Sequence, residues 1–145
     1  MKRIFIDAEK CSGCKNCAVA CMKFHDEEDV FDISTTKSEA RNKILLDSKN
    51  KYKPLFCRHC AKPNCAKNCM SGAMVKDPVT NHVIYDKNKC ANCFMCIMNC
   101  PYGVLRPDKS NTYVVKCDFC NETDDIPSCV KQCPMKAIRV EEVTV

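Results

Sequence analysis

The chain has 145 residues, 16 of them Cys, with a formal net charge of +5 and an apolar fraction of 46% that counts those Cys. So few aliphatic and aromatic residues cannot build a large core, and the fold needs staples, either disulfides or metals. The positive sum treats every thiol as neutral; four oxidised thiolate-bound cubanes would contribute about −8, so the charge is no ground for a nucleic-acid partner.

The N-terminal run Met1-Lys2-Arg3-Ile4-Phe5-Ile6-Asp7 reads as a short strand, not as the roughly 7–15-residue apolar stretch of a secretory signal. No twin-Arg signal occurs, and no segment approaches the roughly 20 apolar residues of a membrane span. The expectation is a soluble, cytoplasmic chain without direct membrane attachment. In that compartment dense Cys binds metal rather than pairing as disulfides, and the metal-free chain is not expected to fold.

The first group is Cys11, Cys14, Cys17 and Cys21, spaced C-x2-C-x2-C-x3-C. Residues 22–56 follow as the longest span without Cys. Phe24 to Asp32 is acidic, and Ser34 to Lys53 is polar around one apolar island, Ile44-Leu45-Leu46. This segment is expected to pack over its neighbours, with Lys49-Asn50-Lys51-Tyr52-Lys53 as a solvated loop. The second group is Cys57, Cys60, Cys65 and Cys69, with a longer middle gap. A strand near Ala73–Val75, a turn over Asp77-Pro78-Val79-Thr80-Asn81 and a strand at Val83–Tyr85 come next. The third group is Cys90, Cys93, Cys96 and Cys100, spaced as the first and followed by Pro101. The fourth is Cys117, Cys120, Cys129 and Cys133, followed by Pro134.

The first and third spacings are the bacterial ferredoxin run, in which three close thiolates wrap one cubane and the fourth reaches another. Structural zinc prefers CxxC pairs set well apart, and four thiols in one short run fit it poorly. The flanks repeat too. Ile4-Phe5-Ile6-Asp7-Ala8-Glu9-Lys10-Cys11 matches Val83-Ile84-Tyr85-Asp86-Lys87-Asn88-Lys89-Cys90. After the fourth Cys, Met70-Ser71-Gly72, Pro101-Tyr102-Gly103 and Pro134-Met135-Lys136 each read as a tight turn into a strand. Short helices are expected inside the x3 steps. The repeat of strand, cluster loop, helix and strand makes the fold class α+β.

With four such groups in this order, and with the Lys116-Cys117-Asp118-Phe119-Cys120 run opening the last, the chain resembles the four-cluster iron–sulfur subunits of anaerobic oxidoreductases. That family includes the electron-transfer subunits of dimethyl sulfoxide reductase and formate dehydrogenase, the electron-transfer protein of carbon monoxide dehydrogenase, and hydrogenase-linked polyferredoxins. The compact length looks closest to the carbon monoxide dehydrogenase type, and the likeness runs from Lys2 to about Val140. It implies two interleaved bacterial-ferredoxin-like modules. The outer one takes residues 1–21 and 101–145, the inner one residues 57–100, with 22–56 as a connecting segment. It also implies four [4Fe-4S] clusters. One would be held by Cys11, Cys14, Cys17 and Cys133, a second by Cys117, Cys120, Cys129 and Cys21. The third would take Cys57, Cys60, Cys65 and Cys100, and the fourth Cys90, Cys93, Cys96 and Cys69. Met, not Pro, follows Cys21 and Cys69, a departure that touches the local turn and not the ligands.

The resemblance implies partners: a catalytic redox subunit on one side and a downstream electron acceptor on the other. Nothing in the chain looks like a substrate site of its own. Three Gly exclude a Gly-rich phosphate loop, no nucleophile–base set is present, and His25, His59 and His82 stand apart in sequence. His59, inside Cys57-Arg58-His59-Cys60, is expected to shield or tune a cluster. The competing readings are a freely diffusing polyferredoxin that serves several enzymes and a structural or filament-forming conductor.

Overall fold

The computed structural model describes residues 1–26, 37–120 and 126–144. Most of the acidic stretch expected from Phe24 to Asp32, and the start of the polar one, lie outside the described residues.

The strands come as four separate antiparallel pairs. β1 (Lys2–Ile6) pairs with β8 (Ile138–Glu142), Ile6 opposite Ile138 and Lys2 opposite Glu142. The first and last Cys groups are thereby tied together. β2 (Lys43–Leu46) pairs with β3 (Tyr52–Leu55), β4 (Met74–Lys76) with β5 (Val83–Tyr85), and β6 (Arg106–Pro107) with β7 (Val114–Val115). The β4–β5 pair is the one expected around the Asp77–Asn81 turn. Asp77 closes that turn by accepting from the Val79 and Thr80 amides at 3.1 and 3.2 Å.

The β2–β3 hairpin differs from the solvated loop expected there. Its tight turn is held by the Asp47 carboxylate, which accepts from the Lys49 and Lys51 amides at 2.8 and 3.0 Å. Ile44 packs inward beside Phe56 and Ile138, whereas Leu45 and Leu46 stay exposed. Two of the three apolar-island residues thus remain in water: Leu45 points to the face opposite Ile44, and Leu46, on the Ile44 face, is the last residue of β2, beside the turn.

Four helices carry the third Cys of each group: α1 (Asn16–Phe24), α2 (Asn64–Lys67), α3 (Met95–Met98) and α4 (Ser128–Lys131). Each starts one residue before its Cys rather than inside the x3 step. That places the third Cys in the first turn. α1 packs on α4, and α2 on α3.

Two small cores result. Cys17, Phe56, Cys129 and Ile138 form one. Met74, Val83, Cys96, Val104, Leu105 and Val114 form the other. Cys is part of both, so removing whatever the thiols hold would unpack the protein from its centre.

Candidate iron–sulfur centres

The internal repeat is visible in the backbone. In each group the residue before the second Cys adopts a left-handed conformation: Gly13 (φ 73°), His59 (φ 42°), Asn92 (φ 56°) and Phe119 (φ 64°). This curls each C-x2-C loop around a common space. Three residues after the fourth Cys, Gly72, Gly103 and Lys136 are left-handed as well, at φ 68°, 60° and 49°. Their amides reach back to the carbonyls of Cys69, Cys100 and Cys133 at 3.4, 3.2 and 3.2 Å. These are the tight turns expected at Met70-Ser71-Gly72, Pro101-Tyr102-Gly103 and Pro134-Met135-Lys136. The first group departs, because α1 continues through Cys21.

The matched flanks repeat the same contacts. Asp7 N–H bonds to Ala137 O at 2.7 Å, and Asp86 N–H to Ala73 O at 2.8 Å. A single 3-10 turn follows each Asp, at Ala8–Lys10 and Lys87–Lys89, and leads into Cys11 and Cys90. Lys10 pairs with Asp7, and Lys89 with Asp86.

The thiols sort by the neighbours they feel. Burial, then the charges of Cys11, Cys133 and Cys14, push Cys17 up to about 11. All four line one cavity walled by Ile44, Pro54, Met135 and Ile138. Burial, then Cys21 and Cys120, raise Cys129 far above the ordinary thiol range; Cys120 and Cys117 also feel Cys21. Burial raises Cys65 to about 11, and Cys57 and Cys100 add to that. The same two raise Cys60 after burial. Burial raises Cys96 to about 11, with Cys69, Cys90 and Cys93 behind it. In each set the fourth Cys of one group stands with the first three of another.

Backbone donors face the sulfurs. Ala137 N–H points at Cys133 Sγ and Met74 N–H at Cys69 Sγ, both at 3.3 Å. Arg41 N–H reaches Cys21 Sγ at 3.3 Å and Phe119 N–H reaches Cys117 Sγ at 3.4 Å. At Cys69, burial is outweighed by the Ser71 hydroxyl and by the Met74, Ala73 and Ser71 amides, which hold the thiol below its ordinary range. Four converging thiols, apolar walls and amides aimed at sulfur suit a thiolate-bound [4Fe-4S] group, whose potential depends on such hydrogen bonds and on solvent exposure.

Several side chains around these sets escaped the sequence reading, because their partners lie far along the chain. His25, at the end of α1, bonds Asp118 through Nε2 at 3.1 Å and lies 3.7 Å from Cys21 Sγ through Nδ1. Arg41 also pairs with Asp118. Burial alone would lower the His25 pKa, but Asp118 and Cys21 overcome it and raise it to about 9. Arg58, within the Cys57–Cys60 loop, lies over the ring of Tyr102, two residues after Cys100, at 4.2 Å. His59 and His82 stand apart in sequence, yet their rings are 4.7 Å apart, and both contact Phe119.

A 4Fe-4S dicluster domain model matches residues 48–143. The B subunit of anaerobic dimethyl sulfoxide reductase from Escherichia coli is 32% identical over 144 residues, covering 92% of this chain and 70% of that protein. The electron transport protein HydN of Escherichia coli is 32% identical over 152 residues, covering 93% of this chain and 85% of that protein. The beta subunit of NADH-dependent phenylglyoxylate dehydrogenase from Aromatoleum evansii is also 32% identical, but this chain spans only 29% of its length. Among solved structures, one polypeptide of the active site complex BamBC of benzoyl coenzyme A reductase with 1,5 dienoyl-CoA matches with a TM-score of 0.54 and 25% identity. That match covers 100% of this chain and 78% of the other. With its thiol sets, its α+β repeat and these relatives, the chain belongs to the 4Fe-4S dicluster family and is an iron–sulfur electron-transfer protein.

Proposed function

We propose that the chain carries four [4Fe-4S] clusters in a row and relays electrons between a catalytic redox subunit and a downstream acceptor in the cytoplasm. The proposed ligand sets are Cys11, Cys14, Cys17 and Cys133; Cys117, Cys120, Cys129 and Cys21; Cys57, Cys60, Cys65 and Cys100; and Cys90, Cys93, Cys96 and Cys69. The first two form an outer module of residues 1–21 and 101–145. The last two form an inner module of residues 57–100, on which the β6–β7 hairpin packs.

The observation that carries this reading is the adjacency of the thiol sets. Cys129 feels Cys17, and Cys117 feels Cys57, while α2 and α3 pack together. These neighbourhoods support a reading in which the four sets form a chain rather than isolated sites. Each proposed end set has one exposed thiol, Cys14 and Cys93, whereas neither middle set has an exposed one. That suits contact with partners at the ends.

Bound clusters supply one-electron redox capacity. The protein would hold them by thiolate, wall the first with Ile44, Pro54, Met135 and Ile138, and aim the Ala137, Met74, Arg41 and Phe119 amides at sulfur. With every thiol of a set committed to its cluster, no iron is left open for substrate.

Anaerobic reconstitution tests the reading. About 16 iron and 16 sulfide per chain, all reducible in one-electron steps, is the expected result; about 8 of each would reduce the array to two clusters. Cys133→Ser should damage the centre built on Cys11, Cys14 and Cys17 and spare the one built on Cys117, Cys120 and Cys129. The reverse would overturn the pairing. An oxygen-free pull-down should bring a catalytic oxidoreductase with the tagged chain; recovery alone would point to a mobile carrier.

A further inference from the structure

The junction between the two modules contains a buried cation. Lys116 is only 4% exposed. Its ammonium donates to Cys117 O at 2.7 Å and also to Val83 O. Val83 is the first residue of β5, and its N–H is taken by His59 Nδ1 at 3.0 Å. His59 sits inside the Cys57–Cys60 loop and is 1% exposed. One residue's backbone is thus gripped from both sides, by a side chain of the second Cys group and by a side chain that adjoins the fourth. The rings of His59, His82 and Phe119 fill the rest of the junction.

The sign of the charge at this point is unusual for a buried site. A lone ammonium costs several kcal/mol to bury unless negative charge or good acceptors compensate. Two carbonyls supply part of that. With clusters bound, the thiolates of the two flanking sets would supply the remaining negative charge. The Lys116 charge pulls against burial at Cys65 and at Cys117, which belong to different thiol sets. Cys57 and Cys117 also feel one another across the same junction. His59 is no second cation: its Nδ1 accepts the Val83 N–H and so carries no proton. Arg3 also reaches this region, through His59 O at 3.5 Å, and of the thiols it acts on Cys60.

We propose that Lys116 is a shared tuning residue, a single fixed positive charge that raises the reduction potentials of the two central clusters together and leaves the two end clusters unmoved. The proposal rests on the four-cluster reading above. Reduction adds one electron, supplied by a chemical reductant or a partner enzyme, to each cluster. That added negative charge is stabilised by a cation held within the low-dielectric junction. One ammonium serves both neighbours, so it shifts both potentials, while an electron on one central cluster repels an electron on the other directly. The middle of the relay would then hold electrons more readily than it would without Lys116 and admit them one at a time.

The test is a redox titration of the reconstituted protein, followed by electron paramagnetic resonance, in wild type, Lys116→Gln, Lys116→Met and Lys116→Arg. Iron and sulfide are counted in every sample. The expected result is a shift of two couples to more negative potential in both neutral variants, with the other two couples unchanged and Lys116→Arg close to wild type. Arg3→Gln should move at most one couple. Full iron content with all couples unmoved would overturn the tuning role and leave the four-cluster reading intact. A uniform shift of every couple would overturn it as well. If both neutral variants fail to load iron while Lys116→Arg loads, Lys116 is needed for assembly and the tuning assignment falls. A wild-type chain without four couples would instead count against the array itself.

Discussion

The ring of Tyr52 occupies the space that a side chain on Gly13 would need: a Cβ there would stand 2.5 Å from two ring atoms. Gly13 is also left-handed, at φ 73°. The β2–β3 hairpin thus lays Tyr52 over the first C-x2-C loop, and only Gly permits both the backbone and the approach. Gly13→Ala costs about 1–2 kcal/mol from its left-handed backbone alone, and the clash adds to that. The expected outcome is loss of one cluster's iron, about 4 atoms per chain, by metal analysis. Gly13→Ala combined with Tyr52→Ala should recover part of it, because the clash goes while the backbone strain stays.

Tyr85 joins the third Cys group to the β6–β7 hairpin. Its hydroxyl accepts from the Val114 N–H at 3.1 Å and bonds the thiol of Cys90; burial first, then that bond, raise its pKa above the ordinary phenol range. Tyr85→Phe removes a donor from a proposed cluster ligand and leaves a backbone amide without its partner. A net hydrogen bond of about 1 kcal/mol corresponds to about 40 mV for one electron. One couple should move to more negative potential by that order in a redox titration, with a stability loss of about 1–3 kcal/mol from the orphaned amide.

The His25–Asp118–Arg41 group ties the end of α1 to the fourth Cys loop. His25 has its pKa raised to about 9 against an ordinary value of 6.5. The sign follows from linkage: protons bind the folded form more tightly, so this contribution is complete below about pH 6.5 and is lost as pH rises through about 9. The half-time of cluster loss, followed by visible absorbance, should shorten between pH 7 and 9 in wild type. His25→Gln should start shorter and lose that part of the pH dependence. Asp118→Asn removes the negative charge that both cations share and should weaken cluster retention more than His25→Gln does.

Chelation under reducing conditions should unfold the whole chain. Cys17 and Cys129 sit in one core and Cys96 in the other, and burial keeps their thiols protonated until metal displaces the proton. Near-UV circular dichroism of the metal-free protein should be featureless and return on anaerobic reconstitution. A native-like spectrum without iron would show that these cores stand without their clusters.

Much of the local design was legible in the residue order. The β4–β5 pair and the turns after Cys69, Cys100 and Cys133 depend on contacts within about a dozen residues. Spacing and turn chemistry suffice for those. The Ile4–Cys11 flank, by contrast, was legible only through its likeness to Val83–Cys90, since its strand pairs with β8 at the other end of the chain. The β2–β3 hairpin was not legible, because Lys49-Asn50-Lys51-Tyr52-Lys53 has the composition of a loop. What makes it a hairpin is the Asp47 turn and the seat that Ile44 and Tyr52 find on the first Cys group.

By itself, then, the sequence determined that this protein is a set of metal-binding loops built on one repeated unit, since thiol spacing dictates how a backbone can curl around a cluster. Only the tertiary structure decided which distant thiols share a space, and that Lys116, His59, His82 and Phe119 meet between them. Those meetings depend on β1 closing against β8 and on α1 packing against α4. Packing across more than a hundred residues leaves no periodic signal in the chain; it is set by which faces can be buried together.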